Sequence, residues 1–227
     1  MCCKPHCNGI VTANTSNQLT TKTWREVGIW LGLLREDPEK KIVEYGVPLG
    51  VIAAIVPTTN PTSTVIFKSL CAAKTRNSII FSPHLMGANC SNLAAKIVYE
   101  AALEAGAPKG SVSVLPMSRE LGDRMVTDDR FKLLTFTGSP SVGWAMKAKA
   151  GKKKVVLELG GNAGVIVDRS ANLDWAVKRI LVGAFAYSGQ VCISVQRIFV
   201  HDAVYDAFMS KFLDGARALK VGDPLDP

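Results

Sequence analysis

The sequence predicts an α/β fold, a mostly parallel sheet with helices on its faces. Two observations predict it. From residue 42 on, short apolar runs of strand length alternate with longer segments of helical period. The runs end in clusters of Gly, Pro, Thr and Asn, which close strands and open helices. With 227 residues the chain is long enough to bury a core, as one large domain or two small ones.

Residues 1–23 are polar and without period, and read as a loose tail. Residues 24–35 read as a short helix or an irregular apolar segment. Val47–Val56 reads as a buried strand ending at Pro57, and Ser63–Lys74 as a helix. Ser78–Ser82 is a short strand ending at Pro83. Asn92–Ala105 is an Ala-rich helix stopped by Gly106 and Pro108. Strand Ser111–Leu115, helix Arg119–Thr127, strand Phe131–Phe136, helix Ser141–Ala150 and strand Lys154–Leu157 follow. After Gly160-Gly161 the pattern restarts with strand Ala163–Val167, helix Leu173–Tyr187 and strand Gln196–His201. Helix Val204–Ala218 closes it, with Tyr205, Phe208, Phe212 and Leu219 expected on one face. The domain reading is a loose segment 1–41, a first domain 42–160 and the start of a second at 161–227.

The formal net charge is +8, which raises the question of nucleic acid. The charge is dispersed, however. Its one dense run, Lys152-Lys153-Lys154, precedes a strand and reads as a solvated turn. Aromatics do not interleave with it as they do in single-strand binders. No apolar run reaches membrane-spanning length and no signal core opens the chain, so a cytoplasmic protein is expected. Six cysteines without framework spacing fit a reducing compartment. Cys2, Cys3, His6 and Cys7 are soft ligand types, but no second ligand pair follows at finger spacing, so no metal is expected.

Several short runs carry chemistry. In Phe136-Thr137-Gly138-Ser139-Pro140 a strand ends, a glycine admits close approach and a helix begins, which suits a phosphate. An ordinary helix cap is the alternative there, since no G-x-G-x-x-G is present. Glu158 ends an apolar strand just before two glycines. At the carboxyl end of a parallel strand it points into the usual ligand crevice, where burial would raise its pKa and suit it to take a proton from water. Otherwise it is a surface turn residue. Cys192 follows the tight passage Ser188-Gly189-Gln190 and is either inert packing or a cleft-facing nucleophile. In Pro57-Thr58-Thr59-Asn60-Pro61, Thr59 or Asn60 can donate to an oxyanion, or the run is only a turn. Lys68, in the helix that follows, places a cation near that crevice or lies in solvent.

Taken in order, these runs resemble the aldehyde dehydrogenase superfamily over about residues 42–227. Pro48-Leu49-Gly50-Val51, Pro57–Pro61, Phe136–Ser139, Leu157–Gly161 and Gly189-Gln190-Val191-Cys192 carry the resemblance, as does the spacing of Glu158 from Cys192. It implies a Rossmann-like cofactor domain, then an α/β catalytic domain. It implies NAD or NADP as cofactor and a small-molecule aldehyde as substrate. Cys192 attacks the aldehyde, oxidation leaves a thioester, and Glu158 activates the water that releases a carboxylic acid. The Cys192 N–H and a donor from Thr59 or Asn60 hold the oxyanion, and Lys68 matches a family lysine near the active site. Gly138 and Ser139 lie by the cofactor pyrophosphate and Val142 near the adenine. Pro57, Thr58, Ser82, Pro83, Leu159 and Gly160 complete the cofactor-binding set.

The family turn Pro-Trp-Asn-Phe-Pro here places Thr59 on the Asn position and Asn60 one place later. The family run Lys-Pro-x-Glu reads Ser82-Pro83-His84-Leu85. Residues 42–115 look like the coenzyme A-acylating acetaldehyde dehydrogenase branch, and residues from about 131 like the hydrolytic branch. A coenzyme A-acylating enzyme and a catalytically inactive cofactor-binding fragment are therefore the alternative readings. Family subunits are roughly twice this length and homo-oligomeric. The chain is thus expected to stop inside the catalytic domain and to show little activity alone.

Overall fold

The computed structural model describes residues 31–223. The expected loose tail and the Cys2, Cys3, His6, Cys7 cluster lie outside the described residues. The chain divides into two compact units between Glu158 and Leu159.

The first unit opens on an antiparallel hairpin, β1 (Gly32–Asp37) with β2 (Ile42–Gly46). Residues 32–35 are thus strand rather than helix or irregular segment. The hairpin is almost wholly exposed, so no buried face imprints a period on its sequence. Lys41, at φ 54°, turns the chain between its strands.

A five-stranded parallel sheet follows. Its strands are β3 (Val51–Val56), β4 (Ser78–Pro83), β5 (Val112–Val114), β6 (Phe131–Thr137) and β7 (Lys154–Glu158), in spatial order β5-β4-β3-β6-β7. Its crossovers are the helices α1 (Pro61–Lys74), α2 (Ala88–Glu104), α3 (Arg119–Thr127) and α4 (Pro140–Lys149). β3 lies at the centre and is buried on both faces, so its run Val-Ile-Ala-Ala-Ile-Val is apolar throughout. Ile52, Ala54 and Val56 pack with Val65 and Ala72 of α1 and Ala94 and Ala95 of α2. Ala53 packs on the other face with Met125, Val126, Leu134 and Ala150.

β3 starts at Val51, four residues later than the sequence suggests. Buried Asn77 explains the late start. Its Oδ1 accepts from the Leu49 and Gly50 N–H groups at 2.7 and 2.8 Å, and its Nδ2 donates to Thr75 Oγ1 at 2.7 Å. Those two N–H groups therefore bond a side chain instead of a strand. Gly50, at φ 119°, permits the bend. The lysine run is also not a simple solvated turn. The Lys153 side chain is only 4% exposed, with Nζ 3.9 Å from Asp129 Oδ1 and 3.4 Å from the Ala150 carbonyl it donates to.

The second unit pairs β8 (Ala163–Val167) with β9 (Val195–Val200) in parallel. Against them pack α5 (Leu173–Phe185) and α6 (Tyr205–Arg217). Its core is Val167, Val177, Ile180 and Phe208, and Phe208 stacks on Phe212 with centroids 5.7 Å apart. Tyr205 and Leu219 are exposed and do not share that core; Leu219 lies beyond the end of α6 at Arg217, and Tyr205 is the exposed first residue of that helix. α5 stops two residues before the expected Tyr187. Tyr187 and Ser188 then adopt left-handed conformations, at φ 56° and 54°.

Candidate active site

In an open parallel sheet, ligands bind beyond the carboxyl ends of the strands, where the strand order reverses. Here that point lies between β3 and β6, since the chain runs outward from β3 through β4 to β5 and returns to β6. The turns that leave the strand ends are Pro57–Asn60 after β3, His84-Leu85 after β4, whose last residues are Ser82 and Pro83, and Gly138-Ser139 after β6.

Lys68 is the best-defined member of the first unit's site. It is 9% exposed, and its Nζ donates to Thr137 Oγ1, 3.2 Å away, at the end of β6. Burial pulls its ammonium down to about 8, against the upward pull of Glu158 and Cys71. Lys68 is therefore neither solvated nor a surface charge. Glu158 pairs with Thr137 across the β6–β7 ladder, and its carbonyl accepts from the Gly138 N–H at 3.0 Å. The structure thus brings Lys68, Thr137, Gly138 and Glu158 to one place. Glu158 is exposed, because β7 is an edge strand of the sheet. The burial expected for its carboxyl is not found. Thr137 was not singled out as a site residue, although it stands inside the Phe136–Pro140 motif.

Thr59 Oγ1 donates to Asn60 Oδ1 at 3.3 Å, and Asn60 is exposed at the start of α1. The Asn60 Oδ1 accepts no capping bond from the helix, and its amide N–H₂ has no hydrogen-bond partner among the described residues. Ser82 and Pro83 are buried, and the His84 N–H donates to the Val56 carbonyl at 3.1 Å, tying the β4 turn to the β3 turn.

The residues after β6 fit a phosphate group. A Cβ on Gly138 would stand 2.6 Å from Phe136 Cζ, so only glycine leaves the strand end this close to its surroundings. Ser139 is the N-cap of α4 and makes no side-chain bond to it, so the first-turn N–H groups stay open at the positive end of the helix dipole. Ser139 and Val142 are both exposed.

In the second unit, Leu159 is half-buried, Gly160 is exposed, and the Cys192 thiol is exposed. Cys192 lies in a turn closed by the Ser194 N–H donating to the Val191 carbonyl at 3.0 Å. Its own N–H has no partner among the described residues. An exposed thiol beside an open N–H is an arrangement that can supply a nucleophile and an oxyanion donor. Cys71 differs in kind. Burial pushes its thiol up to about 11, opposed by its own backbone hydrogen bond and by Lys68.

Residues 13–227 match the aldehyde dehydrogenase family. The chain belongs to that family. Aldehyde dehydrogenases are oxidoreductases, and the relatives of this chain bear such names. It is 41% identical over 181 residues to the 3-sulfolactaldehyde dehydrogenase of Priestia megaterium, covering 79% of this chain and 37% of that protein. It superposes on an acetylating aldehyde dehydrogenase from Geobacillus thermoglucosidasius with a TM-score of 0.72 and 34% identity, covering 82% of this chain and 41% of that one. It also superposes on a glyceraldehyde-3-phosphate dehydrogenase from Methanocaldococcus jannaschii complexed with NADP. That match has a TM-score of 0.69 and 37% identity, over 79% of this chain and 40% of the other. The chain therefore spans about two fifths of the length of these relatives. The α/β fold with its central parallel sheet is the Rossmann-like arrangement of the family. Among the described residues, none of the helices is long and apolar enough to cross a membrane.

Proposed function

We propose that this aldehyde dehydrogenase chain contributes to the NAD- or NADP-dependent oxidation of a small aldehyde to a carboxylic acid through a Cys192 thioester. The exposed Cys192 thiol beside its open backbone N–H carries the reading. The thiol adds to the aldehyde carbon, and the Cys192 N–H donates to the oxyanion so formed; Thr59 and Asn60, in the first unit, are the candidate side-chain donors. A nicotinamide dinucleotide, when bound, supplies the two-electron acceptor. Gly138 and Ser139 would hold its pyrophosphate at the open end of α4, with Pro57, Thr58, Ser82, Pro83 and Val142 as further candidates in the first unit and Leu159 and Gly160 in the second. Glu158 takes a proton from the water that opens the thioester, and the Lys68 ammonium, held by Thr137, stabilises the Glu158 carboxylate.

A coenzyme A-acylating enzyme is the second reading. It is favoured by the Ser82–Leu85 run and by the likeness to an acetylating aldehyde dehydrogenase. Product analysis with aldehyde and NAD or NADP, with and without coenzyme A, separates the two. Free acid without coenzyme A supports the hydrolytic reading, and product that appears only with coenzyme A overturns it. Loss of product in Cys192→Ala and Glu158→Gln identifies the nucleophile and the base.

A further inference from the structure

One hydrogen bond and two close backbone approaches hold the turn that carries Cys192. Ser194 is 3% exposed, and its hydroxyl donates at 3.3 Å to the Ala184 carbonyl in the last turn of α5. Carbonyls of a last helical turn lack partners within the helix, so this one is open to such a bond. A Cβ on Gly189 would stand 3.1 Å from the same carbonyl, so the chain leaving the helix passes directly over it. A Cβ on Gly161 would stand 2.9 Å from the Cys192 carbonyl, so the backbone at Gly161 passes too close to the turn for any larger residue without a shift.

These contacts account for the strain nearby. Left-handed backbone at Tyr187 and Ser188 is unfavourable for residues that carry a Cβ, and it persists only where its surroundings enforce it. Tying Ser194 back to the end of α5 enforces the reversal. The peptide group is planar and trans, so its N–H points opposite to its C=O. The Val191 carbonyl is held inside the turn by the Ser194 N–H. The Cys192 N–H on that same peptide is therefore turned outward.

We propose that Ser194 and Gly161 are positioning residues for Cys192: together they lock the Val191–Cys192 peptide so that its N–H stays open to the oxyanion. The proposal rests on the reading of Cys192 as the nucleophile, and the test separates the two. The full chain is treated with p-nitrophenyl acetate. The Cys192 Sγ–carbon bond forms, the bond to p-nitrophenolate breaks and the thiol proton goes to solvent. No redox step and no dinucleotide are involved. Iodoacetamide is used in parallel, since displacement of iodide at a saturated carbon makes no oxyanion. Both products are followed at the Cys192 peptide by mass spectrometry over pH 6–9.

Ser194→Ala and Gly161→Ala are expected to slow acylation about tenfold at each pH, with alkylation changed by less than about twofold. Ser194→Thr, which keeps the hydroxyl, is expected to retain acylation within about threefold. Gly161→Ala crowds the turn at the Cys192 carbonyl, so the comparison stands on whichever variant keeps its far-ultraviolet circular dichroism. Parallel losses in both reactions, or no loss in either, overturn the positioning role while Cys192 remains the nucleophile. A wild-type Cys192 that is alkylated but never acylated overturns the nucleophile and the clamp together.

Discussion

Replacing Lys68 with methionine should make the protein more stable at neutral pH. The ammonium is buried, and its pKa falls from 10.5 to about 8. That separation corresponds to about 3 kcal/mol by which charging Lys68 costs more in the folded than in the unfolded chain. Methionine keeps much of the stem and carries no charge. It also forfeits the bond to Thr137, worth about 1 kcal/mol. The net expectation for Lys68→Met at pH 7 is a gain of about 2 kcal/mol. The pH dependence follows from linkage. Between pH 8 and 10.5 the unfolded chain holds the Lys68 proton more tightly than the folded one, so wild-type stability rises with pH through that window. The advantage of Lys68→Met should therefore shrink by about 1.4 kcal/mol per pH unit there and reverse at about pH 9.5, inside that window. Urea unfolding of both proteins from pH 7 to 10.5 measures this, and other titrating groups cancel in the difference. Stability curves that run parallel, or a variant less stable at pH 7, would refute the argument. On the role proposed for Lys68 beside Glu158, the same variant should lose product formation as it gains stability.

Asn77→Ala should cost about 2–4 kcal/mol by leaving the Leu49 and Gly50 N–H groups unpaired, while Asn77→Asp, which keeps the acceptor, should recover most of the loss. Urea denaturation of both variants checks it, and equal losses would show that the acceptor oxygen is not what matters. Gly138→Ala should force the Phe136 ring to move and cost about 1–3 kcal/mol. It should also weaken NADP binding by titration calorimetry, and an unchanged affinity would move the pyrophosphate elsewhere. With iodoacetamide at pH 8, exposed Cys192 should be alkylated well before Cys71, whose thiol at about 11 holds roughly a hundredfold less thiolate than an ordinary one. Peptide mass spectrometry gives the order, and reaction at Cys71 first would contradict it.

Much of the fold was legible because burial and capping leave marks in sequence. Helix Arg119–Thr127 is found at its expected bounds, with Ser118 Oγ accepting from the Leu121 N–H at 3.4 Å. Strand Ala163–Val167 is also as read. The hairpin 32–46 was missed because neither strand buries a face. The start of β3 was misplaced because Val47–Gly50 is as apolar as the strand and its pairing with Asn77 spans 27 residues or more. α5 was drawn too long because Ala186 and Tyr187 are tolerable in a helix, and no glycine or asparagine announces a left-handed turn at 187. In the site, the types of Lys68, Glu158 and Cys192 were readable, but their environments were not. Lys68 is buried by packing from distant strands, and Glu158 is exposed because no strand covers β7. Ser194 gave only a weak signal, a hydroxyl two residues past the thiol and followed by an apolar strand.

The bond from the His84 N–H to the Val56 carbonyl has an evolutionary consequence. It joins the two turns that crown the centre of the sheet through main-chain atoms alone, which every residue except proline supplies at the donor position. Side chains at 57–60 and 82–85 can then be exchanged during divergence without disturbing the scaffold that presents them. Selection can thus trial new side chains along that crest on a framework that has already folded.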